Sequence, residues 1–257
     1  MDISVVLITY NEADRLEAAL KSVEGIADEI VIVDSHSTDD TAQIAKKYTD
    51  RFFLREWTNY ADQKNHANMR ASFPWILSLD ADERLSPELR HELLELKREE
   101  PSAAAFSMPR KAYYLGRWIR HSGWFPDRKI RLFRNDSARW EGEFVHESLE
   151  VEGGVQRLKG MLQHFTYRDL RDHVHRVDTY AGLGAQRLYS QQKKCRWYHL
   201  AVLPGFGFLR TYVWKAGFLD GPAGFVIAVM QGYGVFLRYA KLREIWKKGE
   251  RIEPFPH

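Results

Sequence analysis

Residues 3–40 read ISVVLITYNEADRLEAALKSVEGIADEIVIVDSHSTDD. Two short apolar runs, Ile3–Tyr10 and Glu29–Asp34, flank a stretch in which Leu16, Leu20 and Val23 recur at helical spacing. Runs this short and apolar predict buried strands, and the spacing between them predicts a helix with Asn11 at its N-cap. The pattern then repeats. Ser37–Tyr48 reads as a helix with an acidic first turn and with Lys46 and Lys47 near its end, as the helix dipole favours. Arg51–Arg55 reads as a third strand, Tyr60–Ala71 as a third helix and Trp75–Leu79 as a fourth strand. Ser86–Glu99 reads as a helix with Leu89, Leu93, Leu94 and Leu96 inward. Strand–helix alternation with apolar strands implies an α/β fold whose parallel sheet is covered on both faces. Ligands of such sheets bind beyond the carboxyl ends of the strands.

Three polar clusters fall at those ends: Thr9-Tyr10-Asn11-Glu12, Asp34-Ser35-His36-Ser37 and Asp80-Ala81-Asp82-Glu83. Asp80 and Asp82 follow an apolar strand directly. Carboxylates are hard oxygen ligands for Mg²⁺ or Mn²⁺, and such ions are usually shared with substrate phosphates. The other use of the pair is a solvated acidic turn before the Ser86 helix. An EF-hand calcium loop is excluded, because its Gly and distal Glu are not at the required offsets. Beyond Pro101 the pattern changes to strand-like pieces rich in aromatics and Arg: Ala103–Met108, Tyr113–Arg120, Lys129–Arg134, Gly142–Glu150 and Val155–Tyr167. A mixed polar helix over Arg168–Gln192 leads out of them.

The chain has 257 residues, 44% hydrophobic and 28% charged, which suits a globular protein with a sizeable core. Its one cysteine, Cys195, excludes an internal disulfide and a Cys/His zinc cage, and suits a reducing compartment. The N-terminus lacks the basic and long apolar regions of a signal peptide, so a cytoplasmic location is expected. The net charge of +3 hides an asymmetry, with +8 over residues 185–257 and −5 before them. Within that basic tail, the 17 residues from Gly221 to Leu237 carry no charge. This run is shorter than the roughly 20 apolar residues that span a bilayer, so it is expected to lie on an anionic membrane surface. Packing on the rest of the chain or in a homo-oligomer interface is the alternative. Nucleic acid is not an expected partner, since the basic residues are segregated with apolar sequence.

In order and spacing, ISVVLITYNE, EIVIVDSHSTDDT, DQKNHA and WILSLDADE resemble the nucleotide-sugar half of family 2 glycosyltransferases. The resemblance implies the GT-A fold, Rossmann-like with a mainly parallel sheet. It also implies nucleotide-sugar binding by Thr9, Tyr10, Asn11, Glu12, Asp34, Gln63, Lys64, Asn65, Asp80, Ala81 and Asp82. In that assignment Tyr10 lies against uracil, Asp34 bonds the base or ribose, and Asp80 and Asp82 hold the metal carrying the diphosphate. The block from Arg131 to Glu147 resembles bacterial lipopolysaccharide-core members, in which a His-Glu pair follows the acceptor segment. This implies Glu147 as the base that deprotonates the acceptor hydroxyl, with His146 as an alternative base or metal ligand and Glu143 as a substitute. His164 would reach a phosphate or serve as a core histidine. Phe208–Tyr212 and Lys215–Phe225 resemble the C-terminal Gly-Phe-Leu-Asp-Gly segment of the same members.

On this resemblance residues 1–100 form the nucleotide-sugar half, 101–175 the acceptor half, and 176–257 an amphipathic helical, membrane-associating extension. The implied activity is inverting, metal-dependent transfer of a hexose, glucose from UDP-glucose, to heptose of the lipopolysaccharide inner core. The acceptor is thus a glycolipid, and the place of work the inner face of the bacterial inner membrane. Two other readings are transfer to a polyprenyl-diphosphate-linked glycan and a catalytically silent membrane-binding scaffold. The scaffold is disfavoured because every expected carboxylate is present. A nucleotidyltransferase would need a Gly-rich, basic loop where Asn-Glu-Ala-Asp stands.

Overall fold

The computed structural model describes residues 1–99, 101–142 and 147–248. The chain divides into two compact units, residues 1–111 with 127–164, and residues 112–126 with the chain from 165 onward. In the first unit the strands are β1 (Ile3–Thr9), β2 (Glu29–Asp34), β3 (Phe52–Leu54), β4 (Trp75–Ser78) and β5 (Glu83–Leu85), with helices α1 (Leu16–Ser22), α2 (Thr41–Ala45), α3 (Tyr60–Asn68) and α4 (Pro87–Leu96) between them. There follow β6 (Ala105–Tyr114), which runs on into the second unit, then β7 (Arg117–Trp118) of that unit, β8 (Asp127–Arg134), β9 (Ala138–Glu141), β10 (Ser148–Val151), β11 (Val155–Arg157) and β12 (Leu162–His164).

The sheet order is β3-β2-β1-β4-β8-β6-β12-β5. The first four strands are parallel, with Thr9 opposite Asp34 and Ile3 opposite Trp75. β8 then pairs antiparallel with both β4 and β6, and β12 pairs antiparallel with β5. The expected parallel sheet is thus extended into a mixed one. Between β1 and β4 the winding direction reverses, which opens a crevice at their carboxyl ends. Both faces are covered, as the apolar strands require. Ile3, Val5 and Leu7 pack with Leu16, Leu20, Leu89 and Leu93 on one side, while Val6, Val31, Ile76 and Phe133 pack with Ala61 and Ala67 of α3 on the other. Each such buried Leu, Ile or Val contributes roughly 1.5–3 kcal/mol over leaving it exposed.

Some boundaries differ from the sequence expectation. Asn11 is not an N-cap: it adopts φ 53°, and α1 begins only at Leu16. Ser86 does cap α4, its Oγ accepting from Leu89 N at 3.2 Å. The expected piece Ala103–Met108 runs on as β6 through Tyr114, and the expected piece Tyr113–Arg120 turns at 115–116 and returns as β7 against β6.

The second unit holds α5 (Leu170–Ser190), α6 (Trp197–Ala201), α7 (Leu203–Leu209), a π-helical turn (Arg210–Trp214), a 3-10 turn (Gly217–Asp220) and α8 (Gly221–Lys248). The Gly-Phe-Leu-Asp-Gly segment has a structural reason. Asp220, 1% exposed, accepts from the backbone N–H of Arg120 and His121 at 3.0 and 2.9 Å and from Ser122 Oγ at 3.0 Å. A Cβ on Gly224 would sit 1.9 Å from the Gly217 carbonyl, so only glycine lets α8 start against that turn. The far half of α8 packs on α5 through Ala185, Leu242 and Ile245, and the Lys241–Asp178 ion pair at 2.8 Å ties the two helices.

Candidate active site

The ends of β1 and β2 are locked together. Asp34, 1% exposed, accepts from Thr9 Oγ1 at 2.7 Å, Ser37 Oγ at 2.6 Å and Ser37 N at 2.7 Å. Asn11 and His36, both at positive φ, turn the two loops toward each other. Ser37 Oγ accepts from Asn11 N at 2.8 Å, and Asn11 Oδ1 accepts from Thr38 N at 2.9 Å. The N-cap expected of Asn11 is forgone because its amide is spent across this gap. Thr41 Oγ1 likewise accepts from Glu12 N at 2.8 Å. Beside these fixed groups Tyr10 leaves its ring 42% exposed.

Helix α3 carries polar residues that are nonetheless buried. Gln63, fully buried, donates to Ser35 Oγ at 3.0 Å and accepts from Arg55 Nη1 at 3.2 Å. Asn65 exchanges two hydrogen bonds with the backbone of Trp140 at 2.8 and 2.9 Å, which anchors α3 to β9. Lys64, 3% exposed, places Nζ 3.0 Å from Asp80 Oδ1, 3.7 Å from Glu147 Oε1 and 4.4 Å from the centre of the Trp140 ring. One ammonium therefore gathers a carboxylate from the end of β4 and one from the segment before β10.

The other oxygen of Asp80 takes Arg131, whose guanidinium also reaches Glu83 Oε1 at 2.7 Å. Arg110 joins the same Glu83 oxygen at 3.1 Å and Asp127 at 2.6 Å. Burial pushes the Asp80 carboxyl up, but Arg131 and Lys64 outweigh it and hold the group well below the usual carboxylate range. Ala81 is buried, and Asp82 turns the other way. Its Oδ2 lies 3.2 Å from His164 Nε2 and 3.7 Å from Arg15 Nη1. His164 is carried there by the β12–β5 pairing, which sets it opposite Glu83. Arg15 is 5% exposed, and its Nη1 makes no hydrogen bond.

Lys64, Asp80 and Glu147 are thus brought together, and Thr9 and Asp34 form a second group at the neighbouring strand ends. Asp82 stands with His164. His146 and Glu143 lie outside the described residues. Arg131, Arg110 and Arg15 carry no expected role in the sequence reading. The one signal for Arg131 is an arginine inside the apolar run Ile130-Arg131-Leu132-Phe133. Among the described residues no group of three or more His, Cys, Asp or Glu is placed to enclose a metal ion. Asp82 and His164 nevertheless form a carboxylate–imidazole donor pair that fits a divalent ion whose other ligands are substrate phosphates and water. Chemically, the strand ends offer fixed carboxylates and buried cations suited to a polyanionic ligand.

The lipopolysaccharide core biosynthesis glycosyltransferase LpsC of Rhizobium meliloti is 32% identical over 254 residues, covering 93% of this chain and 94% of that one. An uncharacterized glycosyltransferase of Rickettsia typhi is 30% identical, covering 97% and 89%. S. aureus TarS 1-349 is a structural neighbour with a TM-score of 0.46 and 16% identity, over 97% of this chain and 92% of that one. The model of Glycosyl transferase family 2 matches residues 4–149, which include every strand-end cluster described above. The chain belongs to that family and is a glycosyltransferase of the α/β, GT-A kind.

Proposed function

We propose that this glycosyltransferase moves a hexose, glucose from UDP-glucose, with inversion onto heptose of a lipopolysaccharide inner core carried by a glycolipid. The observation that carries the reading is the Lys64 ammonium shared by Asp80 and Glu147, together with the Asp82–His164 pair. The naming of LpsC for lipopolysaccharide core biosynthesis supports the acceptor class.

Tyr10 stacks on uracil. Asp34 accepts three hydrogen bonds from Thr9 and Ser37, and a carboxylate has about four acceptor sites, so one remains for the base or ribose. Asp82 would hold Mg²⁺ or Mn²⁺ with His164 as second donor, in place of the expected Asp80, whose two oxygens are taken by Lys64 and Arg131. Such an ion neutralises charge on a departing diphosphate. Lys64 and the buried Arg15 add fixed positive charge on that side, in place before the reaction begins. Asp80 keeps Lys64 and Arg131 aligned. Glu147 takes the proton of the acceptor hydroxyl as that oxygen bonds the anomeric carbon and the bond to the diphosphate breaks.

Titration calorimetry tests the donor half of the reading. UDP is expected to bind the wild-type chain with Mg²⁺ or Mn²⁺, and its affinity to fall at least tenfold with EDTA or in Asp82→Asn. UDP affinity indifferent to EDTA would remove the metal from the scheme. No UDP binding at all would remove the donor.

A further inference from the structure

The second unit bears an apolar surface built from none of the strand-end residues described above. Phe206 and Val213 are 50% and 51% exposed, Trp214 65%, Phe218 51% and Phe225 48%. The rings of these side chains fall into two groups. Phe206 meets Trp214 with ring centres 5.2 Å apart, and Tyr212 joins Phe218 at 6.3 Å and Phe225 at 5.7 Å. Along α8 the face continues through Phe225, Val229, Tyr233 and Phe236, all exposed, at the four- and three-residue steps that keep one side of a helix. On the opposite side Ala223, Gly224 and Ile227 are buried, and Gly232, beside the face, is covered by Pro204 and Phe208 of α7.

The segment that carries this face is basic, with Arg210, Lys215 and Arg238 exposed on it. Residues 191–243 contain eight Lys or Arg and a single acid, Asp220. That acid is buried and spent on the backbone amides of Arg120 and His121. Lys193, Lys194, Arg196, Arg210, Lys215 and Arg238 are exposed. A second copy presenting the same face would set cations against cations with no exposed carboxylate from the segment to answer them.

By length and composition Gly217–Lys248 is a helix able to cross a membrane. Its uncharged run of 17 residues, however, spans only about 25 Å against a hydrocarbon core of about 30 Å. Beyond that run α8 is fixed on the polar helix α5 by Lys241 and Asp178. A helix held in this way suits entry into one leaflet rather than passage through two.

We infer that the exposed face of α7, the two turns after it and the first half of α8 is a monotopic lipid-binding surface. It takes acyl chains between its aromatic side chains and anionic headgroups at its basic rim. The inference does not rest on the donor or acceptor proposed above.

The test is sedimentation of the full chain with phosphatidylcholine vesicles, with and without phosphatidylglycerol. Binding is expected to be stronger with the anionic lipid and to weaken as salt rises. Arg210→Gln with Lys215→Gln is expected to lower it about fivefold per cation removed. The exposed pair Trp214→Ser and Phe218→Ser is expected to abolish the part that survives high salt, with the melting temperature unchanged. Wild-type chain left in the supernatant, or both variants binding like wild type, overturns the inference. So does a lipid-free dimer that Trp214→Ser with Phe218→Ser converts to monomer, since the occupant would then be a second copy.

Discussion

Replacing Arg131 by leucine removes the hub of the buried ion network and leaves its volume roughly filled. The guanidinium is 4% exposed and bridges Asp80 and Glu83, the latter fully buried. Breaking a buried pair by deleting one partner typically costs about 3–5 kcal/mol. Two features place this case at the lower end. Each carboxylate keeps one cation, Asp80 its Lys64 at 3.0 Å and Glu83 its Arg110 at 3.1 Å. Arg131 Nε is also buried without a hydrogen-bond partner, a cost that leucine relieves. The expected loss is therefore about 3 kcal/mol, and at ~2–4 °C per kcal/mol for a chain of this size the melting temperature should fall by about 6–12 °C. Arg131→Lys keeps the charge, but its point-like ammonium cannot fork to both carboxylates, so it should lie between wild type and leucine. Thermal melts at pH 7 by circular dichroism measure both. A leucine variant melting within about 2 °C of wild type would refute the network as a source of stability, the expected loss being several-fold larger.

Glu147→Gln preserves shape and removes the proton acceptor, so UDP binding should be unchanged while transfer slows by about 10²–10⁴-fold; a near wild-type rate would assign the base elsewhere. In the second unit His173, 3% exposed, stacks on Tyr167 with ring centres 4.1 Å apart, and its Nδ1 lies 2.6 Å from the Tyr114 hydroxyl. Burial pushes the imidazole from 6.5 down to about 4, against the pull of Asp172 and with the push of Arg176. Between those pH values the unfolded chain holds a proton that the native histidine refuses, so stability rises with pH across this window and is lost as pH falls. The contribution is about 3 kcal/mol in all. Urea unfolding from pH 4 to 7 should show this slope in wild type and a flatter one in His173→Phe with Tyr114→Phe; equal slopes would clear His173 of the effect.

The alternation of apolar strands and helices was legible before any coordinates, because the period of apolar residues is a local property. Ile3, Val5 and Leu7 face one layer and Val6 the other in any parallel sheet built from this chain. The strand-end positions of Thr9, Asp34, Asp80 and Asp82 followed from the same periods. The cations that meet those carboxylates were not legible. Lys64 and Arg131 reach Asp80 from 16 and 51 positions away, and only the order β1-β4-β8 and its pairing bring them there. For the same reason Asn11 looked like a cap and proved to be a bridge to Ser37 and Thr38. The basic, aromatic character of the tail was plain from composition. Which of its aromatics stay exposed, and that Asp220 is withdrawn from its surface, depended on packing around Gly217 and Gly224. Periodicity is written into neighbouring residues, whereas the pairing of charges depends on how distant strands and turns are brought side by side.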